Sequence, residues 1–188
     1  MIKNLILAIL VLVFTTGCNF IPSVEVSEEI PPFGVENEPK QNSESEGLFY
    51  FGYGSNMNHE RMISRCGAEH FVDLGRSILD DYRFYFYGRG YANIQPQSSD
   101  QVEGVLYQID NVCLQALDVV EGYPHVYQRD TVDIERQNQT YQAEVYIDLN
   151  DDTSSIPSDA YYQIVLTGAQ QHALSADYIN NIKTLAGH

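Results

Sequence analysis

Leu48-Phe49-Tyr50-Phe51-Gly52-Tyr53-Gly54-Ser55-Asn56-Met57-Asn58 is the stretch on which the fold turns. Its first four residues form a dense apolar and aromatic run, the pattern of a buried strand. The strand stops at Gly52. Glycines on both sides of Tyr53 let the backbone bend tightly and approach a ligand with no Cβ in the way. A helical stretch, Asn58 to Arg65, follows, with Asn56 or Asn58 as its N-cap. Unpaired N–H groups at such a helix start favour an anion or a carbonyl oxygen gaining negative charge. Many strand-to-helix turns use Gly, Ser and Asn for geometry alone, so a purely structural role stays open for this unit. Ser55 lacks the Gly-x-Ser-x-Gly surroundings of a nucleophile elbow.

Working outward, Phe71 to Leu74 and Tyr82 to Tyr87 read as strands, and Gly88-Arg89-Gly90 then breaks the chain. Val102 to Ile109 places Val105, Tyr107 and Ile109 on one strand face. Val132/Ile134 and Tyr141/Ala143/Val145/Ile147 alternate as two strands around a polar hairpin, Arg136 to Thr140. Helices are expected over Asn111 to Glu121, Asp159 to Leu174 and Ala176 to Leu185. Hairpin-connected strands outnumber helices, so the expected class is α+β. The 14 tyrosines, with no tryptophan, read as strand core. His59, His70 and His172 read as ordinary surface residues.

Glu121 is the second chemical candidate. Helical spacing puts it four residues after Leu117 and seven after Leu114, on the apolar stripe of its helix. It also falls in the last turn before Gly122 and Pro124, which end the helix. Desolvation and the negative end of the helix dipole both disfavour an ionised carboxylate there, an environment suited to a general acid/base. A frayed helix end that tips Glu121 into solvent is the bland alternative. Glu121 and His125 do not form a metal pair, because Gly122 and Pro124 interrupt any helix between them. No metal or organic cofactor is expected.

The N-terminal 46 residues differ in kind. Met1 to Cys18 carries one basic residue, Lys3, then an apolar run from Leu5 to Phe14 and Thr15-Thr16-Gly17-Cys18. The run is short of the roughly 20 residues needed to span a bilayer. It resembles a bacterial lipoprotein signal, with residues 1–17 removed and Cys18 lipidated; an uncleaved anchor is the alternative. Residues 18–46 are acidic and carry Pro22, Pro31, Pro32 and Pro39, so they should form an extended, solvated linker. The folded domain is expected over residues 47–188. The chain is expected to be exported and tethered to a bacterial cell envelope, touching the membrane by its lipid anchor only.

Composition narrows the partners. The 188 residues hold 26 acidic and 10 basic side chains, for a formal charge of −16. That balance excludes a nucleic-acid surface, which needs clustered Lys and Arg. Three cysteines make neither a disulfide scaffold nor a four-ligand zinc site. Cys66 and Cys113 are read either as buried thiols or as a disulfide made after export.

Tyr50-Phe51-Gly52-Tyr53-Gly54-Ser55-Asn56 resembles the opening signature of the gamma-glutamylcyclotransferase family. The resemblance continues in order through Gly90-Tyr91-Ala92-Asn93-Ile94, Val102-Glu103-Gly104-Val105-Leu106-Tyr107, and Leu117-Asp118 with Glu121-Gly122 and Tyr127. It ends with Pro157-Ser158, Tyr161 and Gly168-Ala169. It implies a small mixed, barrel-like sheet flanked by helices, and a cleft for a small gamma-glutamyl substrate. Carried over by position, Glu121 would be the acid/base, Tyr50, Phe51, Gly52, Tyr53, Gly54, Ser55 and Asn56 the substrate loop, and Tyr161 a cleft residue. The implied reaction closes the glutamyl unit to 5-oxoproline and expels an amine or amino acid. Gly122-Tyr123-Pro124 resembles the form seen in relatives that act on gamma-glutamylamines, so both leaving-group classes stay open. Two other readings remain: a binding module without turnover, and a serine hydrolase using Ser55.

Overall fold

The structure, a computed structural model, describes residues 47–149 and 153–188. The signal-like segment, Cys18 and most of the acidic linker lie outside the described residues. Five strands and four helices follow one another as β1 (Leu48–Gly52), α1 (His59–Cys66), β2 (Phe71–Tyr87), β3 (Tyr91–Ile109), α2 (Asn111–Glu121), β4 (Gln128–Arg136), β5 (Gln139–Ile147), α3 (Asp159–Gln171) and α4 (Ala176–Leu185). The strands close into a barrel in the order β1-β3-β2-β4-β5. All neighbours are antiparallel except β1 and β5, which pair in parallel at Tyr50 and Glu144 and shut the barrel. The expected α+β class and barrel-like sheet are what the structure shows.

Local chemistry explains most of the element ends. Asp110 caps α2 by accepting from the Val112 and Cys113 N–H groups, and Gly122 ends it. Asn58, not Asn56, caps α1 by accepting from the Arg61 N–H. That frees the Asn56 side chain for other work. Gly168 is where α3 crosses the turn after β1. A Cβ there would sit 2.5 Å from backbone atoms of Met57 and Asn58, so any larger residue would push α3 and its Tyr161 away.

Two strand assignments need correction. Phe71 to Leu74 and Tyr82 to Tyr87 belong to one 17-residue strand, and β3 starts at Tyr91 rather than at Val102. Irregularities at Asp73/Gly75 and Asp80/Tyr82 break the period of two, and Pro96 to Gln101 is exposed. A strand segment with neither alternation nor buried residues carries no pattern to detect. The cysteine question is also resolved: Cys66 and Cys113 form a disulfide that ties the end of α1 to the start of α2.

His172 is not an ordinary surface residue. Its side chain is 7% exposed, with Nε2 at 2.7 Å from Asp73 Oδ2 and Nδ1 at 2.9 Å from the Gly168 carbonyl oxygen. Burial alone would push its pKa down, but Asp73 and that carbonyl outweigh it, so the ring titrates above the usual histidine value. Burial likewise opposes ionisation of Asp73, yet His172, the Gly75 N–H and His59 hold its carboxyl below the usual range. A raised histidine contributes stability in full below its unfolded value near 6.5, and loses it as pH climbs through the raised folded value. The lowered Asp73 contributes above its unfolded value and loses that on acidification. Denaturant titrations from pH 5.5 to 9 are therefore expected to show stability falling on the alkaline side. The His172→Gln variant should flatten that limb. An identical slope in both proteins would refute the linkage.

Candidate active site

One cleft opens where β1, the turn after it, α2 and α3 meet. Tyr50, Tyr53, Gly54, Ser55 and Asn56 form one wall, Glu121 projects from the end of α2, and Ala92, Tyr127, Tyr146 and Tyr161 complete the lining. It holds roughly 300 Å³ of free space, its open mouth included. Gly54 is where the loop comes closest to the sheet: a Cβ there would lie 2.8 Å from that of Ala92 and 3.4 Å from the Tyr161 hydroxyl. Glycine is thus required by the loop's seat over β3.

Glu121 is held, not frayed. Its Oε1 accepts from Arg65 Nη1 at 2.7 Å and from Asn56 Nδ2 at 3.1 Å. The side chains of Arg65 and Glu121 are only 11% and 17% exposed. Arg65 also donates to Asn56 Oδ1, while Asn56 Nδ2 donates to the Tyr50 hydroxyl at 2.6 Å. Both ends of the Asn56 amide are therefore committed, which fixes Glu121 in one orientation. A second set of contacts braces α2 from below. The Tyr146 hydroxyl donates to Asp118 Oδ1 at 2.7 Å, and Arg129 pairs with both Asp118 and Glu144.

The tyrosines stay neutral donors. Burial, reinforced by Glu121, pushes the Tyr50 phenol well up, and burial does the same for Tyr53 and Tyr161. The Tyr161 oxygen accepts from the Ala92 N–H at 3.2 Å, and that donor and the polar groups of Ser55 nearby offset part of its rise.

The structure brings Glu121, Tyr50, Tyr53, Gly54, Ser55, Asn56 and Tyr161 together. It does not bring Phe51 or Gly52 to the cleft. Successive residues of a strand face opposite ways, so Phe51 points into the barrel, fully buried against Tyr53 and Gly104. The Gly52 carbonyl backs onto Gly104 instead. The tyrosines read as strand core divide their roles, five of them lining the cleft. Sequence reasoning missed Arg65, whose place in the last turn of α1 reads as a complement to the helix dipole. Only the four-residue spacing of Arg61 and Arg65 hinted at a basic face.

The family model for gamma-glutamyl cyclotransferase, AIG2-like proteins matches residues 50–163. The chain belongs to that family. It is 27% identical over 170 residues to the gamma-glutamylcyclotransferase of Bos taurus, covering 81% of this chain and 85% of that protein. It is 27% identical over 154 residues to the gamma-glutamylcyclotransferase of Homo sapiens, covering 76% and 80%. A solved gamma-glutamyl cyclotransferase superposes with a TM-score of 0.68 at 26% identity, over 73% of this chain and 87% of that one. The span matched to the gamma-glutamyl cyclotransferase model takes in the whole glycine loop, both arginines of α1, Glu121 and Tyr161. Among the described residues no helix is long and apolar enough to cross a membrane.

Proposed function

We propose that this protein is a gamma-glutamyl cyclotransferase that releases 5-oxoproline and an amine or amino acid from a gamma-glutamyl compound with a free α-amine. The reading is carried by Glu121, a fixed carboxylate at the rim of a polar cleft inside a domain of this family. In the reaction the substrate's own α-amine attacks its γ-carbonyl and closes a five-membered lactam. Because the nucleophile is already part of the substrate, holding the folded conformer supplies much of the rate. Glu121 accepts the α-ammonium proton, which frees the lone pair that forms the new C–N bond. It then returns that proton to the departing nitrogen as the old C–N bond breaks, and the extra proton left on the ring nitrogen passes to solvent, from which the released amine is protonated. Arg65 and Asn56 orient the carboxylate. Tyr161, a neutral phenol lining the cleft whose oxygen accepts from the Ala92 N–H, has its own proton to donate to the tetrahedral oxyanion or to the α-carboxylate. No step requires a serine nucleophile.

An acylated nitrogen is neither basic nor nucleophilic enough to close the ring. Incubation with one gamma-glutamyl dipeptide in free-amine and N-acetyl forms is expected to release 5-oxoproline from the first and nothing from the second. Comparable cleavage of both would mean attack by water or by Ser55, and the cyclotransferase reading would be abandoned. On the same chemistry, intact wall peptides, whose glutamyl nitrogen is acylated, should be inert.

The envelope location rests on the lipoprotein-like residues ending at Cys18. The Cys66–Cys113 disulfide supports it, since such cross-links persist in oxidising compartments. Cys18→Ser is expected to move the protein out of the membrane fraction or to leave a larger precursor. Equal size and equal membrane retention of the two forms would refute lipidation at Cys18.

A further inference from the structure

A second chamber lies outside the cleft and shares Ser55, Glu121, Tyr127 and Tyr161 with it. It holds roughly 830 Å³ of free space, mouth included, against roughly 300 Å³ inside. Besides Tyr87 and Gly122, its own residues are of two kinds. Arg61 and Arg65 stand one turn apart on α1 and face the same way. Tyr91, Val120 and Val126, all partly exposed, supply an apolar side.

The two arginines are not equivalent. Arg65 is committed to Glu121 and Asn56. Arg61 makes no ion pair and no side-chain hydrogen bond among the described residues, and its Nε is buried without a partner. Burial and the like charge of Arg65 both work against its guanidinium. Glu121 acts on it only at a distance, so Arg61 stands beside the cleft with no carboxylate bound to it among the described residues. A guanidinium in that state is complementary to a carboxylate, which it binds through paired, charge-assisted hydrogen bonds.

We infer that Arg61 selects the leaving group: the outer chamber takes a departing amino acid, its α-carboxylate on Arg61 and an apolar side chain against Tyr91, Val120 and Val126. This rests on the cyclotransferase reading for the inner cleft and decides between the two leaving-group classes left open above. An alkylamine would fill the same apolar side but leave Arg61 without a partner. The preferred substrates are thus gamma-glutamyl derivatives of apolar amino acids rather than of amines.

The test uses gamma-glutamyl-leucine and gamma-glutamyl-3-methylbutylamine, which differ only by the leucine carboxylate. Calorimetry on the full chain carrying Glu121→Gln, which keeps both compounds intact, is expected to show the leucine compound binding on the order of tenfold tighter. Adding Arg61→Gln should close that gap by weakening the leucine compound, and Arg61→Lys should restore part of it. Equal affinities, no binding of either compound, or a gap that persists in Arg61→Gln would each overturn the assignment. Release of 5-oxoproline by the chain with native Glu121 is scored separately. Release without a binding preference overturns Arg61 as selector and upholds the reaction. A binding preference without release does the reverse.

Discussion

Replacing Glu121 with glutamine is expected to cut 5-oxoproline release by about 10²–10⁴-fold, with the domain still folded and still able to bind substrate. Glutamine keeps the shape and an acceptor oxygen, so the hydrogen bonds from Arg65 and Asn56 can persist. What it loses is the capacity to take up a proton from the α-ammonium group and hand it on. The loss should therefore appear in kcat and kcat/KM together, the signature of an interaction made in the transition state. Arg65 would be left beside a neutral group, so a modest drop in melting temperature is expected alongside. A variant that keeps a tenth or more of the native kcat would remove Glu121 from the role of acid/base.

Removing both cysteines of the disulfide, by Cys66→Ala together with Cys113→Ala, is expected to cost about 4 kcal/mol of stability. The two residues are 47 apart in sequence, and closing a loop of that length takes much conformational freedom from the unfolded chain. For a domain of this size the melting temperature should fall by roughly 10–15 °C. Arg65 directly precedes Cys66, so the freed end of α1 carries with it the group that orients Glu121. Melting curves of the native and double-variant proteins, each under oxidising and reducing conditions, would decide the matter. Reductant should lower the native curve and leave the variant's unchanged. A variant within about 1 kcal/mol of the native protein would show that packing of α1 on α2 holds without the cross-link.

The sequence was most legible where one local rule governed. The apolar stripe from Leu114 and the helix-ending Gly122 place α2, and its limits come out as the structure has them, because both act within a few residues. The glycine loop and Glu121 were legible for the same reason. Contacts between distant segments were not. Arg65 meets Glu121 across 56 positions, and no local pattern announces that meeting. The same holds for Asp73 and His172, 99 apart, which turn an unremarkable histidine into a buried ionic partner. Phe51 shows a subtler limit: the motif marks a run of residues, while the pleat of β1 sends alternate side chains to opposite sides. The long β2–β3 hairpin was cut short because its middle is solvent-facing and irregular.

The chain meets the barrel at Gly47, and β1 then carries it toward the Tyr53–Asn56 loop, roughly 15 Å farther on at the rise of an extended strand. Upstream sequence therefore joins the domain at one end of β1, and the loop that forms the cleft wall grows from the other. For anyone fixing this protein to a bead or displaying it on a cell, the N-terminal side is the natural handle: a linker attached there need not thread past Glu121. The C-terminal side is the poorer choice, because the His188 ring already stacks on Tyr162, the immediate neighbour of Tyr161.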